Sequence, residues 1–328
     1  MSKKVLNFGI IGCGIIATTH AECLSVIDSA HLVGVTDKKY EYAESFAEKF
    51  NIKPYASYEE MLADENIDAI CVCTPSGLHY ENSLQALAAG KHVVLEKPMA
   101  FTYEECKRIE KAAEENNCVL TVISQLRFSD DIRKVKKLVE ENAFGQIVFC
   151  DLYLKNWRDT EYYTSSNWKG TKKYDGGGAL MNQGIHGVDL LLYLVGDAKV
   201  ITAKKRAAFH NIEVEDQVIA MLEFDNGAMG VLEASTCAYP GYPRRIEIIG
   251  TKGSVVLIEN KIERLVVNGE TYTSDDVEKT ADKPKPGGQL HILQLENFIN
   301  AVFGEDELAI NAADGARAVS LIERIYNA

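Results

Sequence analysis

The run GGGALMNQGIHGVDLL, Gly176–Leu191, carries three separated polar groups, Asn182, His186 and Asp189, in an otherwise apolar stretch. Offsets of four and then three residues set all three on one face of an α-helix. An imidazole, with an ordinary pKa of about 6.5, is suited to taking or giving a proton near neutrality. Asn182 cannot exchange a proton; its amide donates and accepts hydrogen bonds. The stripe is therefore one wall of an active site, or a helix whose buried polar groups are satisfied by neighbours. Spacing alone leaves both open.

A second constellation is Gly12-Cys13-Gly14-Ile15-Ile16-Ala17, the GxGxxA form of the dinucleotide fingerprint. Gly12 permits a tight strand-to-helix turn, and Gly14 lets a pyrophosphate approach the helix N-terminus. Asp37 closes the next apolar run, where a carboxylate accepts hydrogen bonds from a ribose and repels a 2′-phosphate. NAD is expected over NADP, a preference softened by Lys38 and Lys39. The loop Thr74-Pro75-Ser76-Gly77-Leu78-His79 leaves another apolar run towards the cofactor's inner half. His79 either touches the cofactor or hydrogen-bonds its own loop.

The third is Glu96-Lys97-Pro98 at the end of a strand. As a surface ion pair beside a turn it would contribute little. At the mouth of a sheet, a partly dehydrated lysine has its pKa lowered towards the range of an acid or base. Its X-Pro bond is a candidate for the cis isomer.

These residues need a frame. Strands are expected at Val5–Ile11, His31–Thr36, Ile67–Cys73, Lys91–Leu95 and Cys118–Ser124. Helices Ile15–Ile27, Tyr40–Phe50, Leu78–Ala89 (closed by Gly90) and Tyr103–Asn116 alternate with them. Continuous apolar strands between amphipathic helices mean a doubly wound α/β fold with a parallel sheet covered on both faces. After about Gln125 the pattern changes. A helix at Arg127–Asn142 precedes β-rich runs from Ile147–Leu154 to Glu263–Val267. Lys283–Gly288 reads as a Pro/Gly-rich loop, followed by helices near Leu290–Phe303 and Ala312–Tyr326. The expected domains are 1–124, binding the cofactor, and 125–328, an α+β domain with a large, open, mostly antiparallel sheet.

The 328 residues carry a net charge of −13 and 46% hydrophobic residues, an ordinary globular composition that disfavours nucleic acid and anionic membranes as partners. The eight cysteines lack metal-binding spacing and read as reduced, mostly buried small hydrophobes. No structural metal is expected. The N-terminus lacks a signal-peptide pattern and no run is long enough to span a bilayer, so a cytoplasmic protein is expected.

Gly12–Ala17, Glu96-Lys97-Pro98 and the Gly176–Asp189 segment together resemble the Gfo/Idh/MocA oxidoreductase family, and the likeness extends to Gly287-Gly-Gln-Leu-His291. The resemblance implies a Rossmann domain plus an open-sheet domain, assembled as a homodimer or homotetramer through that sheet. It implies that Glu96 holds the nicotinamide end, that Lys97 lies beside the reacting hydroxyl, and that His186 transfers the proton with Asn182 next to it. Many members carry aspartate at position 182. The MNQGIH segment is similar to that of nucleotide-sugar 3-dehydrogenases, so asparagine there does not mean inactivity. The implied activity is NAD(P)-dependent oxidation of a secondary CHOH of a sugar, cyclitol or nucleotide-sugar. The competing reading is a cofactor-binding regulator without turnover. Aromatic and polar groups suited to a polyhydroxylated ring gather at Asn156-Trp157-Arg158, Tyr162-Tyr163 and Trp168-Lys169-Gly170-Thr171. Arg158 and Trp168 are substrate candidates, with Arg127 and His291 beside them. Asp189 is expected to hold local structure.

Overall fold

A computed structural model describes residues 4–273 and 288–328. Two compact units divide the chain: residues 1–125 with 285–316, and residues 126–284 with 317–328. The sequence suggested two successive domains. The first boundary falls one residue from the expected one, but residues 285–316 return to the first unit instead of belonging to the second.

In the first unit β1 (Leu6–Ile11), β2 (Ala30–Thr36), β3 (Lys53–Pro54), β4 (Ala69–Val72), β5 (His92–Leu95) and β6 (Leu120–Val122) form a parallel sheet in the order β3-β2-β1-β4-β5-β6. Helices α1 (Ile15–Leu24), α2 (Tyr40–Phe50), α3 (Tyr58–Leu62), α4 (His79–Ala88) and α5 (Tyr103–Glu115) connect the strands. The order reverses between β1 and β4. That is the switch point where the carboxyl ends of strands open a crevice. The glycine loop leaves β1 and the Thr74 loop leaves β4, so both expected cofactor loops flank it. Gly90, with φ +71°, closes α4 as the sequence suggested.

The return segment belongs to this unit because its apolar face completes the core. In α9 (Gln289–Val302), Leu295, Phe298 and Ile299 are buried in the same cluster as Phe8 and Ala21 of β1 and α1. The Phe298 and Phe8 rings lie 6.3 Å apart. Gln294 of α9 is buried and fully engaged: it accepts from the Ser124 N–H at 3.1 Å and donates to the Val122 carbonyl at 2.9 Å. No periodicity signal announces such a partner. The expected Pro/Gly loop lies outside the described residues apart from Gly288, and so does Gly287.

The second unit is built on an eight-stranded sheet. Its strands are β7 (Ile147–Lys155), β8 (Ala198–Arg206), β9 (Gln217–Phe224), β10 (Met229–Ser235), β11 (Arg245–Gly250), β12 (Gly253–Ile258), β13 (Lys261–Val267) and β14 (Glu270–Thr273). They run in the order β14-β13-β12-β11-β7-β10-β9-β8, antiparallel except for β7 against β10. Helices α6 (Asp130–Glu140), α7 (Thr160–Thr164) and α8 (Ile185–Val195) belong to this unit, and α10 (Ala312–Asn327) contributes its second half. The short strands β3 and β14 escaped the sequence reading because neither has room to show a period of two.

The opening run is not one α-helix. Ala179–Gly184 forms a π-helical turn, and only then does α8 begin. The Gly178 carbonyl accepts from both Asn182 N–H at 3.2 Å and Gln183 N–H at 3.3 Å, the second bond skipping an extra residue. The wider turn displaces Asn182 from the stripe that simple helical spacing predicted. Among the described residues no helix is long and apolar enough to cross a membrane.

Candidate active site

In the first unit, β1 ends at Gly12, whose φ of +97° suits glycine; an added Cβ would lie 2.6 Å from the Cys73 carbonyl oxygen. Gly14 precedes α1 and faces open space, with nothing within 4 Å of where a Cβ would stand and no side chain capping the helix. Unpaired N–H groups at such a helix start favour an anion. Ile15 is 92% exposed in the first turn, whereas Ile16 packs against the core and Ala17 is fully buried. Asp37 accepts from the Cys13 N–H at 3.0 Å and the Lys39 N–H at 3.0 Å, which fixes its carboxylate beside the glycine loop.

Among the described residues the Thr74 hydroxyl is buried without a hydrogen-bond partner. Ser76 opens a short 3₁₀ turn, 76–78. His79 is buried, and its ring nitrogens lie 2.7 Å from the Pro98 carbonyl and 3.0 Å from that of Thr74. Burial pushes its pKa down against those two contacts. His79 ties the Thr74 loop to the Glu96-Lys97-Pro98 turn, whose Lys97–Pro98 bond is cis.

Glu96 is buried at the end of β5 and lies 2.8 Å from His20 Nε2, while its other oxygen accepts from the Lys97 N–H at 3.2 Å. Burial pushes Glu96 up, but His20, Lys97 and His291 outweigh it and bring the carboxyl down to about 2. Burial likewise lowers His20, and the neighbouring Cys71 and Glu96 side chains outweigh that, holding it raised at about 10. The His291 ring meets His20 edge-on at 6.0 Å, and burial depresses its own pKa. Lys97 is half-buried between buried neighbours. His20 was missed in the sequence; its signal was its place three residues after Ala17, on the helix that the fingerprint opens.

In the second unit, Gly177 and Gly178 pack against the protein's own atoms. A Cβ on Gly178 would lie 2.0 Å from the Glu215 carbonyl oxygen, and one on Gly177 would lie 2.4 Å from the Tyr326 hydroxyl. The protein fills that volume with its own backbone and a phenol. Glu215 anchors the π turn: its carboxylate accepts from the N–H groups of Gly178 and Leu180, each at 2.9 Å.

Asn182 donates to the carboxylate of Asp175, which is 1% exposed and also accepts from the Gly170 N–H at 2.7 Å. The Asn182 carbonyl accepts from Gln183 Nε2 at 2.9 Å. Gln183 donates to the Tyr162 hydroxyl at 2.9 Å and accepts from Arg158 at 2.7 Å. His186 is half-buried on α8. Asp189, one turn on, forms a buried two-pronged pair with Arg127 at 2.6 and 2.9 Å. Arg127, expected beside the substrate, is here the partner of Asp189.

Trp168 is half-buried, with its carbonyl accepting from the Thr171 hydroxyl at 2.6 Å. Trp157 packs against Phe209 and Tyr239, at 5.5 and 5.3 Å between ring centres. Asp175, Gln183, Glu215 and Tyr326 went unrecognised in the sequence. Asp175 directly precedes the glycines and Gln183 follows Asn182, so adjacency could have found those two. Nothing local marks Glu215 or Tyr326.

The model for an oxidoreductase family with an NAD-binding Rossmann fold, GFO/IDH/MocA, matches residues 6–124, and the model for its C-terminal domain matches residues 132–256. The oxidoreductase YrbE of Bacillus subtilis is 31% identical over 91% of this chain and 83% of its own. Myo-inositol 2-dehydrogenase of Thermotoga maritima is 27% identical over 96% of this chain and 94% of its own. Among solved structures, the WlbA dehydrogenase of Bordetella pertussis, in complex with NADH and UDP-GlcNAcA, is 33% identical with a TM-score of 0.88, covering 99% of this chain and 96% of that one.

Proposed function

The chain belongs to the GFO/IDH/MocA family of NAD-binding oxidoreductases, and from that premise we propose that it oxidises a secondary alcohol of a sugar, cyclitol or nucleotide-sugar, or reduces the corresponding ketone. The observation that carries this reading is the edge of the first unit's sheet. There an uncapped helix start at Gly14, an unpartnered Thr74 hydroxyl and Lys97 all follow carboxyl ends of parallel strands. The residues fit a dinucleotide: Gly12 makes the tight turn, Gly14 leaves the pyrophosphate room, α1 offers its N–H groups, and Asp37 receives the ribose hydroxyls. When bound, NAD supplies the hydride acceptor.

The chain supplies the rest. As an ammonium, Lys97 stabilises the oxygen from which the proton departs. His186 takes that proton, and Asn182 holds a neighbouring hydroxyl. Glu96 and His20 keep the Lys97 turn in place. Arg158 and Lys169 lie over the Tyr162 ring, at 5.2 and 4.0 Å, and favour a substrate bearing negative charge. This is the chemistry of a nucleotide-sugar or a sugar acid.

A homo-oligomer formed through the open sheet is part of the same proposal. Phe149, Met229 and Ile249 stand abreast on neighbouring strands, with Met221 beyond, and all four are exposed. Contiguous exposed apolar side chains on a sheet mark a contact surface. Light scattering should give the mass of a dimer or tetramer; a monomer would refute this part.

The test of function is a panel of sugars, inositols and UDP-sugars with NAD and NADP, following reduced nicotinamide. Lys97→Ala should keep NAD binding and lower kcat by about 10²- to 10⁴-fold. Unchanged turnover in that variant removes the mechanism. A blank across the panel with wild-type protein would favour a regulator.

A further inference from the structure

We propose that Asp175 is a positioning residue, one end of a polarised hydrogen-bond chain that ends at Arg158 and fixes which atoms Asn182 and Gln183 present. The inference rests on the functional reading above in assigning Asn182 to the substrate.

An ionised carboxylate only accepts, and a guanidinium only donates. Asp175 therefore turns the Asn182 amino group towards itself, and the Asn182 carbonyl towards Gln183. At the other end Arg158 turns the Gln183 carbonyl towards itself, and the Gln183 amino group towards Asn182 and Tyr162. A terminal amide is nearly symmetric in shape, so one with neutral neighbours on both sides can be reversed at little cost. Between these two ends neither amide can turn without setting donor against donor. The Gly170 N–H extends the constraint, because it too requires an acceptor at Asp175. The charge that position 182 lacks is thus supplied one hydrogen bond away. A substrate hydroxyl at Asn182 meets one fixed pattern of donors and acceptors, organised before binding.

The decisive experiment is a double-substitution cycle. Asp175→Asn frustrates the chain, because its new amide must meet either the Gly170 N–H or the Asn182 amino group donor to donor. Arg158→Gln leaves the other end undirected. In the double variant the whole chain can reverse and be satisfied. Asp175→Asn should lower both Tm and kcat, the latter by about 10- to 100-fold, with NADH affinity unchanged. The double variant should have a higher Tm than the summed single shifts predict. Additive shifts, or unchanged kcat in Asp175→Asn, overturn the proposal.

Should Asp175→Asn fail to fold, Gln183→Glu at a half-buried position gives an independent answer. Its carboxylate pairs with Arg158 but cannot donate to the Asn182 carbonyl, so Tm and kcat should fall. A rise in Tm, as an ordinary added ion pair would give, overturns the chain. The Tm measurements need no turnover. Wild-type inactivity across the substrate panel would therefore sink the dehydrogenase reading, while these variants still decide the chain.

Discussion

The hydroxyl of Tyr326 donates to Glu215 Oε1 at 2.7 Å and accepts from the Met181 N–H at 3.2 Å. The last helix thereby clasps the π turn that carries Asn182. Glu215 binds the same turn through Gly178 and Leu180, so phenol and carboxylate form one clasp. Tyr326→Phe keeps the ring and leaves the Met181 N–H without its acceptor. Equilibrium unfolding in urea should show a loss of about 1–3 kcal/mol. No change in the midpoint would mean that water replaces the hydroxyl.

The His20–Glu96 pair makes stability depend on pH in a stated direction. His20 is raised from 6.5 to about 10, so its contribution is fully present below 6.5 and is lost as pH rises towards 10. Glu96 is lowered from 4.5 to about 2, so its contribution is present above 4.5 and lost as pH falls towards 2. Between 4.5 and 6.5 both act. Thermal unfolding of wild type and His20→Gln from about pH 5 to about pH 10 should show a gap that narrows as pH rises. A gap independent of pH would mean that His20 is neutral in the fold.

Arg127 and Asp189 make a buried pair whose members depend on each other. Arg127→Met leaves a buried carboxylate without this partner and should cost about 3–5 kcal/mol. Adding Asp189→Leu should recover most of the loss, since two apolar groups need no counter-charge. Failure of the double variant to recover in denaturant titration would assign the loss to packing.

Asp37 bears on the choice of cofactor. Asp37→Ala should weaken NAD by about 10- to 100-fold, the range for hydrogen bonds to a charged group. NADP should lose less, because a repulsion is removed with the bonds. Equal losses in fluorescence titrations would refute the ribose role.

Much of this protein was legible from local pattern. The alternation of apolar runs and amphipathic helices dictated the parallel sheet, and the glycines after β1 marked the switch point, because periodicity and φ are local properties. The placement of Lys97 at a strand's end, and the antiparallel character of the second sheet, followed in the same way. What Asn182 does was decided by tertiary structure. The sequence showed an amide at position 182; the fold supplies Asp175 beside it and Arg158 two links away. The same holds for His79, drawn to two carbonyls, and for Arg127, paired with Asp189. Gln294 and Phe298 return to the first sheet from far along the chain. Such pairings depend on which side chains meet across 62 or 172 positions of sequence, and hydrogen-bond polarity is settled only where donors and acceptors meet in space.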